Sequence, residues 1–161
     1  DGIYLPIYVQ EAVLTLQQAQ EVGLDIPIIG GLDFAPPFTT LLPDPELADG
    51  IYVANNYSES ESQLNDIREA YVEKFGEEPI NKAFLGYDKI LIIADAIRRA
   101  GSSDPQAVSE AIESSEGLRA TTGVITISEE THRPVGLSMV MYQIRDGEYV
   151  EIGRHVPESH M

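Results

Sequence analysis

The chain has 161 residues, 43% of them hydrophobic, enough for one ordinary core, and a formal net charge of -17 from 27 acidic and 10 basic residues. That balance repels nucleic-acid phosphate and anionic lipid head groups, so partners that need a basic face are excluded, and the spread of the acidic residues reads as a solvated surface. Cysteine is absent, which removes disulfides, thiol nucleophiles and thiolate metal sites.

Asp1 to Tyr8 is a short apolar run, as expected of a strand covered on both faces, with Pro6 limiting its pairing and Tyr8 at its end. From Ala12 to Val22 the residues Ala12, Val13, Leu16, Ala19 and Val22 recur at helical spacing, and Gly23 follows as a cap. Ile26 to Ile29 predicts a second buried strand, so Tyr8 and Asp33 are expected near each other at one sheet edge, where open α/β sheets bind ligands. Leu32 to Asp49, with four prolines, reads as a loop with at most one short helical turn near Phe38 to Leu42.

Ile51 to Ala54 predicts a third strand. Ser58 and Glu61 have capping-box spacing before a helix with Leu64, Ile67, Tyr71 and Phe75 on one face, ending at Gly76. Asn81 to Ala100 is a longer helix, apolar nearly all round, which must be covered on several sides. Asp104-Pro105 opens another helix, with Val108, Ala111 and Ile112 inward. From residue 58 to 117 the sequence therefore predicts helices and no strand. After Gly123 the period becomes two: Val124 to Ile127, Leu137 to Ile144 and Tyr149 to Ile152 read as antiparallel strands, the last two joined through Asp146-Gly147.

In order along the chain, Ile3-Tyr-Leu-Pro-Ile-Tyr8, Gln18-Ala-Gln-Glu-Val-Gly-Leu24, Pro27-Ile-Ile-Gly-Gly31, Gly50-Ile-Tyr-Val53, Ala83-Phe-Leu-Gly-Tyr-Asp88 and Ala94-Asp-Ala-Ile-Arg-Arg-Ala-Gly101 resemble the substrate-binding proteins of branched-chain amino acid ABC transporters, the leucine/isoleucine/valine-binding family. The resemblance is to the carboxyl-terminal half of these longer, two-lobed proteins. It implies an α/β fold of the type I periplasmic-binding-protein class, with Rossmann- or flavodoxin-like lobes, present in part and ending in an antiparallel hairpin. Residues 1–54 would belong to the carboxyl-terminal lobe, residues 55–120 would be the helical part of the amino-terminal lobe, and residues 121–157 would return as strands and hairpin. Residues 158–161 read as a vector-derived remnant. A signal peptide or lipidation cysteine would lie outside this stretch.

In the family, an acid in the loop after the second strand of this region holds the ligand ammonium, and an aromatic hydroxyl at the end of the first strand closes over it. Tyr8 matches the aromatic position without a gap. A gap-free match puts Leu32 at the acid's position, with Asp33 one residue late, so either the loop shifts by one residue or the ammonium contact is absent. Asp33 also fits a cap on the following turn, and Tyr8 a strand-end residue packed on the surface. The aromatic wall expected near the start of the long helix falls close to Lys82, with Phe84 the nearest ring and a core position its plainer reading. Tyr87-Asp88 matches a family pair of structural character.

No nucleophile elbow, phosphate loop, dinucleotide fingerprint or histidine pair at metal spacing is present in the sequence. With the resemblance, this implies a non-enzymatic, cofactor-free protein, periplasmic or extracellular, and anchored outside the cell in Gram-positive organisms. It would capture a small amino-acid-like ligand for an ABC permease in the membrane. Its helices would take cover from the family's other half or from a second copy. A sensory ligand-binding domain of the same fold is the alternative, and a small flavodoxin-like enzyme a remote one, disfavoured by the missing strands between residues 58 and 117.

Overall fold

A computed structural model describes residues 1–156, so the reading of residues 158–161 lies outside the described residues. In chain order the elements are β1 (Ile3–Leu5), α1 (Val9–Glu21), β2 (Ile28–Gly30), β3 (Tyr52–Asn55), α2 (Asn65–Phe75), α3 (Asn81–Ala100), α4 (Pro105–Glu113), β4 (Leu118–Ala120), β5 (Gly123–Ile127), β6 (Pro134–Val135), β7 (Met139–Arg145) and β8 (Glu148–His155). They divide into two units: Asp1–Ser58 with Met139–His155, and Glu59–Ser138 with Val156.

The first unit is built on a sheet of order β1-β2-β3-β7-β8, parallel from β1 to β3 and antiparallel beyond. Pro6 has no amide to continue the ladder, and β1 stops at Leu5. Tyr8 is therefore not the strand end that the sequence suggests but the N-cap of α1, its carbonyl accepting from the Ala12 amide at 2.9 Å. Ala12 and Leu16 turn into the core, whereas Val22, expected on the same face, is 78% exposed at the helix end. The helix closes in a Schellman turn: the Gly23 amide donates to the Gln20 carbonyl, the Leu24 amide donates to the Ala19 carbonyl, and Gly23 takes φ +67°.

Residues 32–49 are more ordered than the expected loop. Three 3-10 turns, Leu32–Phe34, Phe38–Leu41 and Pro45–Ala48, place Phe34, Phe38, Leu42 and Ala48 in the core with Val53, Val140 and Ile144. The prolines cut the run too short for an α-helix, but the four-residue spacing of its apolar side chains still directs them to one side. The rings of Phe34 and Phe38 meet at 4.7 Å between centroids.

The hairpin of β7 and β8 turns through Asp146 at φ 52° and Gly147 at φ 74°, the pair of positive values that a two-residue type I′ connection requires. The Asp49 carboxylate accepts from the amides of Asp146 and Gly147 at 3.0 and 2.9 Å and ties this turn to the start of β3.

The second unit contains α2, α3, α4 and a small antiparallel sheet of order β4-β5-β6. The short β4 and β6 were not legible in the sequence, and β5 lies in this sheet rather than beside β7. The helix does not start at Ser58: a 3-10 turn, Ser62–Leu64, comes first, α2 begins after Leu64 without a side-chain cap, and the Ser58 hydroxyl donates to Glu151 at 2.6 Å within the first unit. Gly76 and Gly101 end α2 and α3 in the left-handed conformation, and Asp104 caps α4 through the amides of Gln106 and Ala107. At the end of α3, Arg99 pairs with Asp95 at 2.7 Å and reaches the Ser115 hydroxyl and the Ala111 carbonyl, joining α3 to α4. Within this chain the cover over α3 is partial. Phe84, Asp88 and Ala96 are buried, whereas Tyr87, Ile90, Ile93 and Ile97 are 46%, 66%, 43% and 40% exposed.

Candidate functional site

The parallel pairing sets the site's geometry. Leu5 lies opposite Gly30, and the Gly31 amide donates to the Leu5 carbonyl at 3.0 Å, so the chain leaves β1 and β2 in step at the carboxyl edge of the sheet. Tyr8 and Asp33 each follow three residues after this pair and so emerge at the same edge. Tyr8 is 73% exposed, and Leu32 and Asp33 are half-buried.

Leu32 and Asp33 are the first two residues of the 3-10 turn, which closes when the Phe34 amide donates to the Gly31 carbonyl at 3.0 Å. Gly30 is required here by close approach: a Cβ on it would lie 2.4 Å from Cγ of Phe34. The turn is thus drawn tightly over the end of β2, with the Phe34 ring inward.

What the sequence did not reveal is the contribution of β8. The Tyr149 hydroxyl donates to the Phe34 carbonyl at 2.8 Å and accepts from the Thr39 amide at 3.3 Å. Two residues on, Glu151 accepts from Ser58 at the far end of β3 and pairs with Arg154 at 3.3 Å. A period-two strand gives no sign of which loop its polar ends will reach, and no motif in the sequence marks Tyr149.

Phe84 lies in the second unit, 1% exposed, with the Arg68 guanidinium 5.8 Å from its ring centroid. Arg68 also pairs with Glu59 at 2.7 Å. Burial raises the Glu59 carboxyl above its ordinary value, and the charge and hydrogen bond of Arg68 pull it part of the way back. A concavity in the first unit, lined by Leu16, Leu24, Ile26, Leu47 and Tyr52, opens beside the starts of β2 and β3 and includes neither Tyr8 nor Asp33. Among the described residues no cluster of three or more His, Asp or Glu could hold a metal ion, and His132 stands 3.4 Å from Glu113. No helix among them is long and apolar enough to cross a membrane.

The mixed α/β fold, with a first unit built on parallel strands, is that of the type I periplasmic-binding-protein class. The profile of the periplasmic binding protein family matches residues 1–148, and the chain belongs to that family. Among solved structures it is similar to the leucine-binding protein LivK of Thermotoga maritima, with 28% identity and a TM-score of 0.79 over 98% of this chain and 45% of that one. It is also similar to LivJ of Streptococcus pneumoniae, a branched-chain amino acid transporter substrate-binding protein in complex with isoleucine, with 26% identity and a TM-score of 0.77 over 98% of this chain and 44% of that one. A solute-binding protein of an ABC transporter from Rhodopseudomonas palustris, in complex with 3,4-dihydroxybenzoic acid, shares the fold at 24% identity and a TM-score of 0.77, over 97% of this chain and 45% of that one. The chain thus spans less than half the length of these structures. No curated protein sequence matches it significantly.

Proposed function

We propose that this chain is part of an extracytoplasmic solute-binding protein that captures a branched-chain or related amino acid and delivers it to an ABC permease, performing no chemistry itself. The observation that carries the reading is the juxtaposition of Tyr8 with Leu32 and Asp33 at one sheet edge, set by the Leu5–Gly30 pairing and the Gly31 amide bond across it. An ammonium needs a carboxylate and an aliphatic side chain needs apolar surface. Asp33 supplies the first, and Leu32 with the Tyr8 ring supplies part of the second. Phe84, buried beneath Arg68, is left to the core. LivK and LivJ, whose names specify leucine and branched-chain amino acids, support this ligand class.

The test is a thermal-shift panel with L-leucine, L-isoleucine and L-valine on the full-length protein that carries this chain. At 100 times the dissociation constant, bound ligand adds about 2.7 kcal/mol to stability, a shift that is readily seen. Asp33→Asn is expected to weaken binding by about 2 to 5 kcal/mol, because a desolvated ammonium loses its charged partner. An absence of any shift across the panel rules out the ligand class. A shift that Asp33→Asn leaves unaltered removes Asp33 from the site.

A further inference from the structure

The first unit's loop of 3-10 turns is held from outside itself, and by groups far away in sequence. At its end, Asp49 binds the turn of the β7–β8 hairpin. Near its start stands a single phenol. The Tyr149 hydroxyl bridges Phe34, to which it donates, and Thr39, from which it accepts, so one oxygen spans the junction between the first and second 3-10 turns. Phe34 immediately follows Leu32 and Asp33, and its ring is confined by Gly30, where no side chain would fit. The Tyr149 ring is in turn fixed, edge-on to Tyr142 at 5.9 Å and packed against the core.

We propose that Tyr149 is the positioning residue of the ligand loop, setting the placement of Leu32 and Asp33 without itself meeting the ligand. The inference rests on the reading of Leu32 and Asp33 as ligand contacts. The physical argument is one of constraint. A 3-10 turn of three residues has few hydrogen bonds of its own, and its geometry is easily deformed. Fixing its last carbonyl to a packed aromatic ring removes the freedom that a binding residue would otherwise lose when the ligand arrives, which is how a rigid support raises affinity. The hydroxyl is needed in both of its capacities. Phenylalanine at this position keeps the ring packing and loses both bonds.

Tyr149→Phe and, as the comparison, Tyr142→Phe would be made in the full-length protein. Tyr142 lies on the same sheet and its hydroxyl faces Ser58 rather than the loop. Two readings are taken. Amide resonances of Gly31, Leu32 and Asp33 are followed without ligand, and affinity for L-leucine is measured by calorimetry. Tyr149→Phe is expected to move those three amides while those of Gln17 and Gln18 in α1 hold, and to weaken L-leucine binding about three- to ten-fold, the range one net hydrogen bond carries. Tyr142→Phe should do neither. Unmoved amides overturn the positioning role whether or not leucine binds, and so does an equal loss of affinity in both variants or an undiminished affinity in Tyr149→Phe. A wild-type protein that ignores L-leucine overturns the ligand reading instead, and the amide shifts then decide the loop's support on their own.

Discussion

Asp88, in the middle of α3, grips Thr121: one of its carboxylate oxygens accepts from the Thr121 amide at 2.7 Å and from the Thr121 hydroxyl at 2.6 Å. The other oxygen repeats the pattern with Thr122, at 2.9 Å to the amide and 2.6 Å to the hydroxyl. Asp88 is 4% exposed, its carboxyl group meets these four donors in the interior, and the turn between β4 and β5 is anchored to the helix. Asp88→Asn replaces one acceptor oxygen by a donor that faces other donors. The expected loss is about 2 to 4 kcal/mol, read as a lower urea midpoint at unchanged slope. A midpoint within experimental error of wild type would mean that the turn is held by other contacts.

Glu59 gives a pH test. Burial raises its carboxyl and Arg68 opposes that, with burial the larger influence. An acid whose folded value lies above its unfolded one binds its proton more tightly in the folded state, so its contribution is full below the ordinary value of 4.5 and is lost as pH rises through the raised one. Glu59→Gln mimics the protonated form. Relative to that variant, wild type should therefore lose stability as pH rises from about 4.5 through the raised value. Denaturant midpoints for both proteins across the acidic range measure it. The opposite slope would show that the Arg68 ion pair outweighs burial.

Two glycines with the same φ of 74° separate backbone strain from close contact. At Gly76 a Cβ would meet nothing within 4 Å, whereas at Gly147 it would lie 2.7 Å from Cβ of Pro45. Gly76→Ala is expected to cost about 1 to 2 kcal/mol, the left-handed penalty alone. Gly147→Ala should cost about 1 to 3 kcal/mol more, because a proline ring cannot rotate out of the way. Equal losses would imply that the hairpin turn moves off the Pro45 ring without cost.

The stripe of Tyr87, Ile90, Ile93 and Ile97 predicts self-association of the purified 161-residue chain. Each such side chain gains about 1.5 to 3 kcal/mol on full burial, and water covers all four in part. Light scattering should report a mean mass that rises with concentration, and Ile90→Lys, at the most exposed position, should lower it. A monomer at every concentration would count against the prediction.

The elements with their own local signals were legible in the sequence. Asn81 to Ala100 shows helical periodicity and a closing glycine, Asp104-Pro105 is a cap with a first-turn proline, and Asp-Gly at 146–147 favours the type I′ turn that joins β7 and β8. Elements defined by their neighbours were not. Leu118 to Ala120 is a strand because β5 lies beside it, and nothing within the three residues requires that. Ser58 and Glu61 have capping spacing, but the Ser58 hydroxyl also donates to Glu151, 93 residues away, and α2 starts only after Leu64. For the candidate site, Tyr8, Leu32 and Asp33 are proposed from the ends of β1 and β2 and from resemblance. Tyr149 is not, because its role depends on contact with a carbonyl 115 residues away.

The first unit takes its last two strands from residues 139–155, and this discontinuity governs how the protein is made. Tyr52 finds its partner, Gln143, only after the whole of Glu59–Ser138 has left the ribosome. Until then β3 presents an unpaired edge, and the turn carrying Asp33 has no phenol to hold it. A nascent chain is therefore exposed to aggregation and to proteases until residues 139–155 have emerged. A chain cut after Ser138 would leave the first unit with β3 as an open edge.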